Sequence, residues 1–192
     1  MKNEMTAKLL NELQAPVVVA EILNGHVSYE SSDYALSSLI SDQQPDAALL
    51  SIALSFRMII RPYIKASPIL KASVLECMRI VEARASGFLT SPLSADTSCP
   101  ATLDSMSSIA EDLSYVEELL DLAVNFFAAK DPLAMRLCAL LKSQAHTHHM
   151  IAEVFCNQFA SAPIAEPSRM QRMLGCLVSV ANRNEPLSMQ AV

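Results

Sequence analysis

Seven apolar residues, Met106, Ile109, Leu113, Val116, Leu120, Ala123 and Phe127, recur at alternating steps of three and four along one segment of the chain. That pattern lays a single apolar stripe along a helix, and the stripe has to be buried against another apolar surface. Lys130-Asp131-Pro132 follows at once, with a proline that cannot continue a helix but suits the first turn of a new one. Beyond it Leu133, Leu137, Leu141, Ile151 and Phe155 give a second stripe, interrupted by Gln144 and His148. Residues 104–161 are therefore expected to form a long antiparallel helical hairpin around which the rest of the chain is organised.

Proline and glycine usage extends the helical reading to the whole chain. Pro16, Pro45, Pro68, Pro132 and Pro167 each stand just ahead of an apolar-periodic segment, where the missing N–H costs nothing. Only three glycines occur, too few for a fold rich in tight hairpin turns. Expected helices begin near Asn3, restart at Val17–Asn24 with Gly25 as the stop, and continue at Asp33–Ile40, where Ser31 or Ser32 could cap. They resume at Asp46–Ile60 and Pro68–Gly87, then in the two hairpin arms, the first starting at Asp104 or Ser108, and close with Ser168–Ala181. Asp46–Ile60 is apolar on nearly every side, which marks a helix buried on every side. The expected fold is all-α, a single compact bundle of about six or seven helices spanning residues 1–192. The Ser/Thr/Pro-rich stretch 90–103 is expected as a mobile loop and 182–192 as a frayed tail.

Charge and composition remove several function classes. The net charge is −6 and no two Lys or Arg residues are adjacent, so the basic footprint that a phosphate backbone needs is missing. Nucleic acid is not an expected partner. Ala47 to Ile60, the longest apolar stretch, contains Arg57 and is too short to span a bilayer. The N-terminus lacks the apolar core of a signal peptide. Five scattered cysteines without a CxxC pair suit a reducing compartment, so a cytoplasmic location is expected. Hydrophobic residues make up 52 % of the chain, with ten Met and a mean hydropathy of +0.28. That surplus predicts apolar surface kept for a partner, either another protein or a second copy.

Catalytic signatures are missing. The isolated Gly25, Gly87 and Gly175 exclude a P-loop, a dinucleotide-binding turn and a nucleophile elbow, and neither HExxH nor ExxH occurs. The leading expectation is a non-catalytic interaction protein, an adaptor, chaperone-like or regulatory bundle without a cofactor. Its contacts would be a Met-rich face with Met170, Met173 and Leu177, and an acidic ridge that includes Glu117, Glu118 and Asp121.

The alternative rests on His146, His149 and Glu153. At about 100° per residue these three fall on one strip of a helix, where two imidazoles and a carboxylate can meet a divalent transition metal. The plainer reading of the strip is a solvated face with a His149–Glu153 pair. Gln144 and His148, on the apolar seam, are expected to be buried polar groups, with His148 near Leu113 to Tyr115 and Gln144 near Glu117 and Glu118. A third class, an enzyme using His148 as acid or base with Glu117 or Glu118, follows from that same pairing.

Overall fold

The computed structural model describes residues 13–90 and 100–160, with side chains described for 13–85 and 104–158. Among them are six α-helices and no strand. These are α1 (Gln14–Leu23), α2 (Tyr29–Ser41), α3 (Pro45–Ile60), α4 (Pro68–Thr90), α5 (Pro100–Phe127) and α6 (Pro132–Ala160). A short 3-10 turn, Arg61–Tyr63, follows α3. The described residues up to Asn157 group as one compact unit. The expected Ser168–Ala181 helix with Met170, Met173 and Leu177, the tail 182–192 and most of the expected 90–103 loop lie outside the described residues.

The centre of the packing is α3, which touches α1, α2, α4 and α5. From Ala48 to Phe56 every residue of α3 is buried, and Ile59 and Ile60 close its far end. The organising element is thus this short all-round apolar helix rather than the 104–161 segment. A stripe can cover one neighbour, whereas a helix apolar on all sides has to be surrounded. The α5 stripe lies in the core as its spacing predicts, with all seven residues buried. On α4, Leu70, Val74, Cys77, Val81 and Ala85 do the same.

Helix ends follow local chemistry, and several differ from the sequence expectation: α1 begins three residues before Val17, at Gln14, and α4 runs three residues past Gly87, to Thr90. Ser28, not Ser31 or Ser32, caps α2: its hydroxyl accepts from the Ser31 amide at 3.2 Å. The helix therefore begins four residues earlier than Asp33, at Tyr29. The first turn of α5 starts with Pro100, a proline that the sequence reading assigned to the loop, four residues ahead of Asp104. Elsewhere Ser67 accepts from the Leu70 amide at 3.3 Å as the cap of α4. Gly25 ends α1 in the left-handed region at φ +72°, which side chains rarely adopt.

A turn at Ala128–Lys130 joins α5 to α6, and Asp131 fixes the entry into α6. Its carboxylate accepts from the Ala134 amide at 3.0 Å and from the Tyr63 hydroxyl. These bonds hold its pKa below the usual carboxylate value, the Ala134 amide first. Tyr63 in turn stacks edge-on against the fully buried Phe127, with 4.8 Å between ring centroids. Asp131→Ala is expected to cost about 1–2 kcal/mol, the loss of an N-cap plus a tyrosine hydroxyl without its acceptor. Urea unfolding at neutral pH measures it. The Asp131 share of that stability is present above the ordinary carboxylate pKa and is lost as pH falls through the lower, folded-state value.

Candidate metal centre

An ion pair and a histidine–carboxylate contact bridge α5 and α6. Lys142 Nζ meets Asp121 Oδ1 at 2.5 Å, and one turn further His146 Nδ1 stands 3.3 Å from Glu117 Oε2. Rising numbers on α6 meet falling numbers on α5, so the helices run antiparallel here. Folding the sequence about Lys130–Asp131 would have set Glu117 opposite Gln144; it faces His146 instead, two positions on.

That shift assembles a site. Ligand atoms of Glu117, His146 and His149 all lie within 4.8 Å of one another. Side-chain exposure falls from 59 % at His146 to 23 % at Glu117 and 19 % at His149, so the cluster opens outward on the His146 side. Four ligands around a tetrahedral ion at Zn–N distances of 2.0–2.1 Å stand about 3.3 Å apart. The rotation needed to reach that spacing is open to the exposed His146.

Glu153 is placed differently from the expected set. It lies outside the three-residue cluster and pairs with His149, one turn earlier on the same helix, at 3.3 Å between Oε1 and Nε2. Sequence periodicity sees one helix at a time, so it offers Glu153 and cannot offer Glu117 from the helix across. The signal that would have found Glu117 is the register of the ion pairs about the turn. Glu118 is exposed and Asp121 half-buried, both beside the cluster on α5.

Gln144 and His148 are buried, and their hydrogen bonds run to α2. Gln144 donates to the Ser37 hydroxyl and accepts from the Ser41 hydroxyl, both at 2.8 Å. His148, without exposure, donates from Nε2 to the Ile40 carbonyl at 3.0 Å. The hydrogen-bond partners of both are thus on α2 rather than on Glu117 or Glu118, and among the described residues no carboxylate is bonded to His148. The seam itself drifts along α6. On α6 the buried positions run Leu141, Gln144, Ala145, His148, Ala152, whereas Ile151 is 47 % exposed. A strict seven-residue repeat rotates off the face of a straight helix by about 20° per repeat.

Comparison with known proteins finds no matching family model, no matching curated protein and no matching solved structure.

Proposed function

We propose that this protein binds a divalent transition-metal ion between α5 and α6, held by Glu117, His146 and His149. The observation behind the reading is the convergence of the three ligand atoms within 4.8 Å from two different helices. Two imidazoles and one carboxylate suit Zn²⁺, Ni²⁺, Co²⁺ or Cu²⁺, while Ca²⁺ and Mg²⁺ prefer all-oxygen sites. The Glu153 carboxylate against His149 is the kind of outer partner that fixes a ligating ring and raises its basicity.

Calorimetric titration of the untagged protein with Zn²⁺ or Ni²⁺ is the test. The wild type is expected to bind one ion, and His146→Ala with His149→Ala to bind none while melting as the metal-free wild type does. Glu117→Ala should abolish or greatly weaken binding. Glu153→Ala should weaken it about 10–100-fold, as loss of an outer partner does. Unchanged binding by the double histidine variant sinks the reading. Loss with Glu153→Ala but none with Glu117→Ala returns the ligand set to a single helix.

A second reading, an interaction protein of the adaptor or regulatory kind, draws on Met150, Ile151 and Val154, which are all at least 44 % exposed on one side of α6. A cytoplasmic setting belongs to both readings. Cys77, Cys138 and Cys156 are free, and burial pushes the Cys77 and Cys138 thiols up to about 12, which keeps them unreactive. No described helix is long and apolar enough to cross a membrane.

A further inference from the structure

Resting on the metal reading, we propose that the bound ion takes a small exogenous ligand that joins a neutral nitrogen donor to a positive charge a few bonds away, such as an imidazole bearing an amine. Three protein ligands leave a position open on a four-coordinate ion. The cluster stands where two surface grooves meet. One, of about 600 Å³, is lined in part by His149; the other, of about 520 Å³, is lined in part by Glu117. Ser114 and Glu118 belong to both. Grooves of this size accommodate small molecules rather than macromolecules.

The charge of the walls selects among them. Glu111, Glu118 and Glu153 line the first groove, and among the described residues no Lys or Arg does. The second groove has one cation, Lys142, already engaged by Asp121. Glu111 and Glu118 are exposed, and neither pairs with a cation among the described residues. An anion reaching for the metal would approach these carboxylates without a compensating charge, whereas an ammonium would meet them favourably. Tyr115, 40 % exposed, lines the same groove and adds an aromatic ring to its wall. A neutral nitrogen donor also completes a site that already holds two imidazoles without bringing a further negative charge to the groove.

Three ligands of equal reach separate the contributions: 1-(3-aminopropyl)imidazole, 1-propylimidazole and 3-(imidazol-1-yl)propanoate. Each is titrated into the full-length protein loaded with Co²⁺, with the visible absorption of the ion as readout. The aminopropyl compound is expected to bind about tenfold more tightly than the propyl compound, and the propanoate more weakly than either. In Glu111→Gln with Glu118→Gln, both exposed positions, the advantage of the amine should shrink to about twofold or less while the Co²⁺ spectrum persists. Equal affinities for all three ligands, or tightest binding of the propanoate, overturns the inference while the metal site stands. No Co²⁺ absorption at all overturns the metal reading, and this inference with it.

Discussion

Ile52→Asp is expected to leave the protein unable to fold. Ile52 is fully buried on α3, the helix that α1, α2, α4 and α5 surround. Leu49, Leu50, Ala53 and Phe56 around it are buried as well, so a carboxylate there has no route to water along its own helix. Taking an unpaired carboxylate out of water costs several kcal/mol even after its pKa rises, and the change also removes the packing of the isoleucine. The sum rivals the ~5–15 kcal/mol that stabilises a whole domain. Soluble yield and far-UV circular dichroism read the outcome, with Leu54→Asp, two residues on, as a second probe on another face of the helix. A variant that stays soluble with an unchanged melting temperature shows that α3 is not at the centre.

His148→Ala is expected to cost roughly 2–3 kcal/mol at pH 7.5, the loss of a buried hydrogen bond and of the packing of the ring. The same residue should give the wild type a loss of stability in mild acid. Because the Ile40 carbonyl can only accept, Nε2 carries the proton, and Nδ1 is left buried without a partner. A second proton would place a cation in that pocket. Burial therefore lowers the His148 pKa from 6.5, only partly offset by the bond to Ile40, and no charged side chain contributes. With the folded value below the unfolded one, the contribution of neutral His148 is complete above about pH 6.5. It diminishes as pH falls below that, because the unfolded chain binds the proton first, and it levels off under the folded-state pKa. Urea unfolding in EDTA between pH 5 and 8, taken as wild type minus His148→Ala, isolates the effect from other titrating groups. A difference that does not shrink in acid sinks the assignment of Nδ1 as unpartnered.

The metal ligands show most clearly how far a single sequence reaches. His146 and His149 belong to the sequence reading because three positions on one helix fix two side chains within about 60° of each other, whatever the helix packs against. Glu117 was visible as part of an acidic ridge, but its role depends on register between helices. A displacement of two residues about the turn exchanges Gln144 for His146 as its partner. No local periodicity carries that information, because register depends on how two helices seat against each other and the core.

The same division runs through the fold. Helix content, the α5 and α4 stripes and the buried α3 were legible from spacing alone, since apolar periodicity and proline placement act within a few residues. Which neighbour each face meets was not. His148 and Gln144 were read as seam residues, yet α2 supplies their partners through the Ile40 carbonyl, Ser37 and Ser41, more than one hundred positions away in the chain. Spacing along the chain was enough to place most of the residues that leave water, with Ile151 an exception. What the polar groups face emerges from the packing, because all the apolar stripes are buried at once, and a drift of about 20° per seven residues moves a seam off its expected neighbour along a long helix.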